Sequence, residues 1–485
     1  MTNLSGANLN NGAAVGPQGE SRESPSSFPA YPAYKDSGVE WLGEIPGHWA
    51  VFIAKRMFGN VRESASADAE QLAATQAYGV IPQKDFMERN DTKVVLALSG
   101  TENFRAVKSN DFVISLRSFQ GGIEHSAYDG CVSPAYTVLR RKDERNLNPG
   151  YLRYLLKDAS YISALQSVTT GIREGRTITY EQFGSLSMPV APVAEQTQIA
   201  RFLDHETARI DALIEEQQRL IELLKEKRQA VISRAVTKGL DPTVPMKDSG
   251  VEWLGEVPAH WDVCSVRRVI SAIEQGWSPE CEANPADEDA WGVLKAGCVN
   301  RGVFDPSENK TLPAWLEPVA EYEVRAGDIL MSRASGSPEL VGSTALLGEV
   351  REKLMLSDKI FRLHLEAKIS SSFFVWVMNA QFMRAQIEQA LSGGNGLANN
   401  LPQSSLLAFW LAVPPSHEQV AIAEYINKLV GEIDALISEG GSAVELLQER
   451  RSALISAAVT GKIDVRGWQP PAINQAPKLE VTEAN

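Results

Sequence analysis

The side chains best suited to chemistry in this chain are arginine, lysine and small polar residues in two loop regions. Arginine suits guanine and phosphate groups, whereas asparagine and glutamine suit adenine. In the first half the candidates are Arg117, Ser118, Gln120, Thr169, Thr170, Arg173 and Arg176. In the second half they are Arg333, Ser335, Ser337, Lys359, Asn395, Asn399 and Asn400. For any single residue a solvated loop side chain is the alternative, so only the loops taken together indicate a binding surface.

Sequence motifs for catalysis are absent from the chain. The nearest match to a phosphate-binding loop, residues 336–344, lacks the lysine that would reach the phosphates. There is no Asn-Pro-Pro-aromatic motif for adenine methylation and no glycine-rich strand–loop–helix for S-adenosylmethionine. We therefore expect a protein that is not an enzyme by itself and that holds no cofactor.

Cysteine usage gives no sign of a metal site or of a disulfide framework. The four cysteines are Cys131, Cys264, Cys281 and Cys298. They form no Cys-x-x-Cys pair, and no histidine stands at zinc spacing beside them. Reduced thiols in a cytoplasmic protein are the expected state, and no metal is expected.

Length and composition indicate a globular protein of two to four domains. The chain has 485 residues, 44% of them hydrophobic and 22% charged, which provides apolar mass for more than one core. The longest apolar run, residues 406–413, is far too short to cross a bilayer. We expect no membrane-spanning segment and no membrane partner.

The net charge of −14 argues against a globally basic nucleic-acid binder. Residues 51–190 contain 17 Lys and Arg against 15 Asp and Glu, a net charge of +2. Residues 262–410 contain 13 against 19, a net charge of −6. Any affinity for DNA must therefore come from local patches or be supplied by a partner.

The elements that position these loops occur twice. Residues 35–44 recur letter for letter as residues 247–256, and a second motif at residues 195–214 returns at residues 418–437. The segments between these motifs are nearly unrelated. A duplicated frame with two divergent inserts predicts a two-lobed, pseudo-twofold recognition protein.

Six tryptophan and histidine residues recur within the repeated openings. They are Trp41, His48 and Trp49 in the first repeat, and Trp253, His260 and Trp261 in the second. Because each histidine is flanked by Trp and lies near Pro, we interpret all six as anchors that pack and form hydrogen bonds, in preference to catalytic or base-stacking roles.

The inserts mix short strands with helical stretches, and two far longer helices follow them. We expect helices at residues 151–165 and 373–391. Residues 195–237 contain neither Pro nor Gly and have apolar residues at helical spacing, which predicts a helix about 60 Å long. Residues 418–460 repeat this segment without insertion or deletion. We expect the two long helices to pair and to bury an apolar stripe of the first that includes Leu213 and Leu220, and a twofold axis across the pair makes them antiparallel.

Two adjacent glycines, Gly440 and Gly441, interrupt the second long helix. Together they cost about 2 kcal/mol relative to alanine in a helix. We expect a kink there, a frayed turn, or a helix held straight by tertiary packing.

These features resemble the specificity subunit of type I restriction-modification systems. Three motifs carry the resemblance: the openings at residues 37–49 and 249–261, the Pro-x-x-Glu-Gln entry to the helix at residues 192–204, and the helix motif that is clearest at residues 433–462. Together they cover about residues 35–465, in the same order and twice over.

The resemblance implies a mixed α/β fold. Two α/β target-recognition domains are expected in a pseudo-twofold arrangement, separated by two long antiparallel coiled-coil helices. The expected organisation is a disordered tail at residues 1–30, a first target-recognition domain at 31–191, a first long helix at 192–240, a second target-recognition domain at 241–413, a second long helix at 414–463 and a disordered tail at 464–485.

The resemblance also implies a function and partners. Each recognition domain would read one half of a split, asymmetric sequence in double-stranded DNA, which makes the loop residues given first above the DNA-binding candidates. Two methyltransferase subunits would dock on the chain, and two motor-nuclease subunits would join them in a bacterial or archaeal cytoplasm. S-adenosylmethionine, ATP and Mg would belong to those partners.

Two other functions compete with this interpretation. A methyltransferase fused to a nuclease would share the recognition half but needs donor-binding and cleavage motifs, which are absent; the chain could still be the recognition part of a related methyltransferase-nuclease system. A non-catalytic coiled-coil scaffold would not need two divergent inserts of similar size.

Overall fold

The computed structural model describes residues 28–66, 68–90, 103–115, 122–168, 178–392 and 399–471. These residues fall into two units. Unit 1 contains the chain up to residue 216 together with the residues from 443 onwards, and unit 2 contains residues 217–442. In the described part of the chain, no helix has both the length and the apolar character needed to cross a membrane.

The strands of unit 1 are β1 (Tyr34–Asp36), β2 (Glu44–Pro46), β3 (Ala50–Ile53), β4 (Phe58–Val61), β5 (Leu72–Thr75), β6 (Gly79–Pro82), β7 (Arg105–Val107), β8 (Phe112–Ile114), β9 (Ile123–His125), β10 (Gly130–Val132), β11 (Thr137–Arg141) and β12 (Ser187–Val190). Its helices are α1 (Ala54–Met57), α2 (Gln83–Asn90), α3 (Pro149–Leu155), α4 (Ala159–Ser167) and α5 (Tyr180–Ser185). The long helix α6 (Val193–Lys238) begins in unit 1 and ends in unit 2.

The main sheet of unit 1 has the strand order β4-β11-β8-β9, and every neighbouring pair is antiparallel. Strand β12 pairs with β3 beside it. The ring of Phe58 on β4 packs edge to face against Phe112 of β8 and against Phe183 of α5, with ring centroids 5.8 and 5.5 Å apart. These rings belong to one apolar core, which also includes the start of α6.

The strands of unit 2 are β13 (Met246–Asp248), β14 (Glu256–Pro258), β15 (Asp262–Ser265), β16 (Ile270–Gln275), β17 (Gly292–Leu294), β18 (Asn309–Thr311), β19 (Ile329–Ser332), β20 (Ala334–Ser335), β21 (Thr344–Leu346), β22 (Leu354–Met355), β23 (Ile360–Leu365), β24 (Asn399–Asn400) and β25 (Trp410–Val413). Its helices are α7 (Ser371–Met378), α8 (Gln381–Ser392) and α9 (Gln403–Ala408), and α10 (Ser416–Val459) begins here and ends in unit 1.

Unit 2 repeats the topology of unit 1. Its main sheet has the order β16-β23-β19-β21, with β25 paired to β15 and β13 paired to β14. These strands occupy the same places along the chain as their counterparts in unit 1. Unit 2 also has a three-stranded sheet, β18-β17-β22, which contains a parallel pair and has no counterpart among the described residues of unit 1. The prediction of one mixed α/β frame used twice is confirmed.

The helical stretch expected at residues 151–165 is helical but divided, because the chain forms the separate helices α3 and α4 there. Asp158 lies between them, and its carboxylate accepts a hydrogen bond from the backbone N–H of Tyr161 at 3.0 Å. Such a short polar side chain caps a new helix rather than continuing the old one. The stretch at residues 373–391 is likewise divided, into α7 and α8.

Within unit 1, the start of α6 and the end of α10 run antiparallel. Nε2 of Gln198 donates to the carbonyl of Val465 at 3.1 Å, just beyond the end of α10. Further along, Nε of Arg451 donates to Oδ1 of Asp211 at 2.7 Å. As the residue number rises on α6 it falls on α10, so the predicted direction is confirmed in this unit.

Within unit 2, the other halves of the same helices are also antiparallel. Nε of Arg228 donates to Oδ1 of Asp434 at 2.8 Å, which is the repeat equivalent of the pair formed by Arg451 and Asp211. Gln217 of α6 lies beside Gly440 of α10. The two ion pairs are the same contact made once in each unit with the helices exchanged.

The glycine pair does not interrupt or fray α10, which is helical throughout residues 416–459. A Cβ atom at Gly440 would lie 2.9 Å from Nε2 of Gln217 and 3.1 Å from Cγ1 of Ile221. The helix is therefore held by tertiary packing, the last of the three expected outcomes. Gly440 provides room for the larger side chains of α6, whereas a Cβ at Gly441 would touch nothing within 4 Å.

The apolar stripe of α6 is narrower than the sequence suggests. Leu213 and Leu220 are 43% and 47% exposed, so the expectation that they are buried against α10 is wrong. The residues turned inward are spaced alternately by four and three: Ile210, Ile214, Gln217, Ile221 and Leu224. That spacing is the seam of a two-helix coiled coil, which is too narrow to cover neighbouring leucines.

Candidate nucleic-acid interface

The described polar candidates of unit 2 gather at one end of its main sheet. Arg333 follows β19 directly, Lys359 precedes β23, and strand β20 pairs with β24 through Ala334 and Asn400 and through Ser335 and Asn399. The backbone N–H of Arg333 donates to the carbonyl of Lys359 at 2.8 Å. Residues that are far apart in sequence therefore share one surface.

Further hydrogen bonds fix the loop that follows β20. Nδ2 of Asn399 donates to the carbonyl of Gly336 at 3.2 Å, and the backbone N–H of Ser337 donates to Oγ of Ser335 at 3.2 Å. Asn400 is exposed. Of the predicted residues in this half, only Asn395 lies outside the described ranges.

Asp358 joins the segments of this surface, a role that no sequence motif indicates. Its carbonyl accepts from Nη1 of Arg333 at 3.1 Å and from Nε2 of Gln275 at 3.3 Å. Its carboxylate accepts from Nζ of Lys359 at 2.9 Å and from Oγ of Ser278. Three segments of chain, residues 275–278, Arg333 and residues 358–359, therefore meet at this acidic residue.

The carboxylate of Asp358 is ionised in this setting. Burial acts to raise the pKa of Asp358, but hydrogen bonds from Lys359 and Ser278 outweigh it and lower the pKa below its ordinary value. The charge on Lys359 is partly neutralised by this contact. Half of its side chain nevertheless remains exposed, so it can also reach a phosphate.

We refer to Gln275, Trp277, Ser278, Arg333, Asp358 and Lys359 as the Asp358 cluster. Sequence reasoning missed Gln275, Trp277, Ser278 and Asp358. The available signal was the run Gly-Trp-Ser-Pro at residues 276–279, in which turn-forming residues enclose a large aromatic residue.

The candidates of unit 1 lie outside the described residues. They are Arg117, Ser118, Gln120, Thr169, Thr170, Arg173 and Arg176. The first three belong to the connection between β8 and β9, which the backbone N–H of Ser115 closes by donating to the carbonyl of Gly122 at 2.8 Å. The other four belong to the connection between α4 and α5. Their role stays a prediction.

The recurring His-Trp pair of unit 1 binds the beginning of α6. Nε1 of Trp49 donates to Oε1 of Glu195 at 2.9 Å, and Nε2 of His48 lies 2.8 Å from Oε2. The hydroxyl of Tyr31 donates to the same carboxylate. Burial first, and then the hydrogen bond to Glu195, raise the pKa of Tyr31, so the phenol keeps its proton.

The same arrangement recurs in unit 2 at the beginning of α10. Nε1 of Trp261 donates to Oε2 of Glu418 at 2.9 Å, and Nε2 of His260 lies 2.7 Å from Oε1. The remaining tryptophans of the repeat differ from each other. Trp41 meets Tyr161 edge to face with centroids 5.6 Å apart, whereas Trp253 is 38% exposed.

The glutamine that follows each of these glutamates anchors the next part of the insert. Oε1 of Gln196 accepts from the backbone N–H of Asn148, at the start of α3, at 2.8 Å. Oε1 of Gln419 accepts from the backbone N–H of Ser370, at the start of α7, at 2.7 Å. The repeated Glu-Gln pair thus connects each long helix to the opening motif and to the insert of its own unit.

The described residues contain no group of three or more His, Cys, Asp or Glu side chains arranged to hold a metal ion. On β9, Glu124 is buried beside a positive charge, and His125 follows it in the sequence. Lys157 pairs with Glu124, while Nε2 of His125 lies 3.1 Å from Oδ1 of Asn110. Neither group has a nucleophile among these contacts.

Comparison with known proteins supports the resemblance seen in the sequence. No family model matches the chain. It is 32% identical to the type I restriction enzyme EcoEI specificity subunit of Escherichia coli over 242 residues, which are 50% of this chain and only 40% of that protein. It is 22% identical to the putative type I restriction enzyme MjaX specificity subunit of Methanocaldococcus jannaschii, with 88% of this chain and 96% of that protein covered.

The fold is also found in a solved structure. A chain from a study of complex assembly and conformational transition of the type I R-M system superposes with a TM-score of 0.63 at 15% identity, covering 86% of this chain and 98% of that one. The chain is therefore similar to type I restriction enzyme specificity subunits in its repeated motifs and in the sequences of these relatives, and it shares its fold with that solved structure.

Proposed function

We propose that this chain is the DNA-recognition subunit of a type I restriction-modification complex and reads a bipartite, asymmetric site in double-stranded DNA. The observation that carries the proposal is one frame folded twice, with a polar surface at one end of the main sheet of unit 2 and a different amino-acid sequence in the corresponding loops of unit 1. A repeated frame places two readers in equivalent positions, and different loops give them different target bases.

The chemistry of each surface fits contact with DNA. In unit 2 the group contains Arg333 and Lys359, which suit phosphate or guanine, and Asn399 and Asn400, which suit adenine. The backbone pairing of β20 with β24 holds these residues on a defined framework. Such a framework lowers the cost of ordering side chains when DNA binds.

In this proposal the chain performs recognition only. S-adenosylmethionine, ATP and Mg belong to the partners, which are two methyltransferase subunits and two motor-nuclease subunits in the cytoplasm of a bacterium or archaeon. The long helices and the repeated Glu-Gln anchors give both halves of the chain an equivalent frame on which a pair of identical subunits can dock.

Reconstitution tests the proposal. The chain is mixed with a methyltransferase subunit of a type I restriction-modification system, and methylated positions are mapped in random-sequence DNA with S-adenosylmethionine present. We expect methylation of one split, asymmetric sequence by the complex and none by either protein alone. Methylation by the chain alone would contradict a purely recognising role, and methylation by the complex without sequence preference would favour a scaffold.

A further inference from the structure

Trp277 is an exposed tryptophan at the end of β16 whose backbone is fixed tightly. The backbone N–H groups of Gly276 and Trp277 donate to the carbonyls of Ser357 and Leu356 at 3.2 and 3.1 Å. A Cβ atom at Gly276 would lie 1.7 Å from the carbonyl oxygen of Leu356, so no other residue permits this approach. The indole is 37% exposed.

The residues on both sides of Trp277 are bound to Asp358. Gln275 donates from Nε2 to the carbonyl of Asp358 at 3.3 Å, and Ser278 donates from Oγ to its carboxylate. The same residue holds Arg333 and Lys359. Trp277 is therefore part of the surface that carries the cationic candidates of unit 2, and the path of the main chain keeps it there.

The charge of this insert makes a neutral contact important. Residues 262–410 carry a net charge of −6, and Asp358 already pairs with Lys359, so attraction to phosphate is weak compared with a basic DNA-binding surface. Tryptophan supplies a large apolar surface with few rotatable bonds, and residues of this type dominate the energy of many interfaces.

We propose that Trp277 is a specificity-determining residue of unit 2, whose indole contacts the bases of the half-site that this unit reads in duplex DNA. This inference rests on the proposed function. The indole adds an apolar contact to the polar contacts of Arg333 and Asn400. DNA binding by unit 2 is then less dependent on salt concentration than binding by a cationic loop.

Trp315 provides a matched control in the same unit. It is 76% exposed, which is twice the exposure of Trp277, but it stands beside Glu317 and belongs to a segment that also contains Glu321 and Glu323. If exposure alone mattered, Trp315 would be the better candidate. The acidic neighbourhood makes it a poor one for DNA.

The test compares Trp277→Ala and Trp315→Ala in the complex with methyltransferase subunits. Binding is measured on the cognate duplex and on duplexes altered in one half-site or the other. We expect Trp277→Ala to weaken cognate binding roughly 10-fold or more and to reduce discrimination at the unit 2 half-site only, while Trp315→Ala stays within about twofold, the range of a neutral surface change. Equal behaviour of the two variants would overturn the inference.

Two further results separate the possible failures. A wild-type complex without sequence-specific binding would refute the proposed function itself, whereas a specific wild-type complex with an unaffected Trp277→Ala variant refutes only the role of Trp277. If Trp277→Ala does not assemble, the photo-reactive replacement Trp277→p-benzoylphenylalanine decides the question. Cross-links to bases of the unit 2 half-site support the inference, and cross-linking no greater than at position 315 contradicts it.

Discussion

Nε1 of Trp49 donates a hydrogen bond to Oε1 of Glu195 at 2.9 Å, although the two residues are 146 positions apart in the chain. Trp261 makes the equivalent bond to Glu418, also at 2.9 Å. The end of the opposite long helix completes both sites, because Gly461 lies against the ring of Trp49 and Gly239 against that of Trp261. Each repeated tryptophan is thus held by the start of one long helix and the end of the other.

The two glutamates should contribute unequally to stability. The side chain of Glu195 is 5% exposed and accepts a third hydrogen bond, from Tyr31, whereas that of Glu418 is 30% exposed. At the repeat offset of 212, Tyr31 is replaced by Thr243. Removing a buried charged acceptor leaves its donors unsatisfied, so we expect Glu195→Ala to cost about 3 kcal/mol locally and Glu418→Ala about 1 kcal/mol.

Hydrogen exchange of the opening segments measures this difference. Amides of residues 28–50 should lose much more protection in Glu195→Ala than amides of residues 243–262 lose in Glu418→Ala. Equal losses would show that the third donor and the deeper burial do not matter.

The neighbouring glycines of α10 should respond differently to alanine. At Gly441 a methyl group meets nothing, so Gly441→Ala should stabilise unit 2 by about 1 kcal/mol through helix propensity alone. At Gly440 the same gain is offset because Gln217 and Ile221 must move. We expect Gly440→Ala to be nearly neutral and Gly440→Leu to be destabilising by roughly 2 kcal/mol, as measured by urea denaturation. A Gly440→Ala variant as stable as Gly441→Ala would contradict the close helix contact.

The stability of unit 1 should depend on pH because of His125. Burial, followed by the positive charges of Arg153 and Arg141, lowers the pKa of His125 from 6.5 to about 4. Between these values the unfolded chain binds a proton that the folded unit does not. The contribution of neutral His125 to stability is therefore present above pH 6.5 and is lost as the pH falls towards 4.

Replacing the imidazole tests that linkage. The urea midpoint of His125→Gln should fall less than that of wild type between pH 7 and pH 5, because the variant has no buried imidazole. His417→Gln, at a position where the side chain is 82% exposed, serves as the control and should follow wild type. If His125→Gln and wild type show the same pH dependence, the buried neutral histidine is not the cause.

The repeated frame could be predicted from the sequence because its residues are specified locally and twice. Residues 35–44 and 247–256 are identical, and the long helices contain helix-forming residues in a regular pattern. The capped break at Asp158 was missed because the apolar spacing continues across it. Leu213 was expected to be buried because the spacing of apolar residues identifies one face of a helix. That spacing does not show how much of the face the partner helix covers.

The polar surface of unit 2 was predicted only in part. Arg333 and Asn399 stand in segments with recognisable polar composition. Asp358 and Trp277 were missed because their roles depend on contacts between segments about 80 residues apart, such as the bond from Ser278 to Asp358. The exposure of Trp277, and the close backbone contact that only a glycine at position 276 permits, can be recognised only once the strands are paired.

The first half of the chain should associate with itself when produced alone. In unit 1, apolar residues of α6 share a core with residues of α10, namely Ile199, Phe202, Leu203 and Ile210 with Leu454, Ile455, Ala458 and Val459. A fragment of residues 31–246 lacks α10 and exposes that surface. Each such side chain contributes about 1.5–3 kcal/mol when buried, so we expect a homodimer that copies the pseudo-twofold arrangement.

The side chain at position 217 should weaken the association of that homodimer. In the whole chain Gln217 faces Gly440, whereas in the dimer it would face a second Gln217. We therefore expect the fragment with Gln217→Ala to dimerise more tightly than the unaltered one in sedimentation experiments at micromolar concentration. A folded, stable monomer in both cases would mean that the helices do not associate as described.

The most direct test of the account exchanges the insert of unit 1 and leaves unit 2 untouched. Residues 51–190 are replaced by the corresponding insert of another specificity subunit, and the sequence methylated by the reconstituted complex is mapped. Because the Trp49 and Glu195 anchors remain and the Asp358 cluster is unchanged, the account predicts a new first half-site, the original second half-site and the original asymmetry. If both halves of the recognised sequence changed, or neither did, the claim that each unit reads its own bases would be wrong.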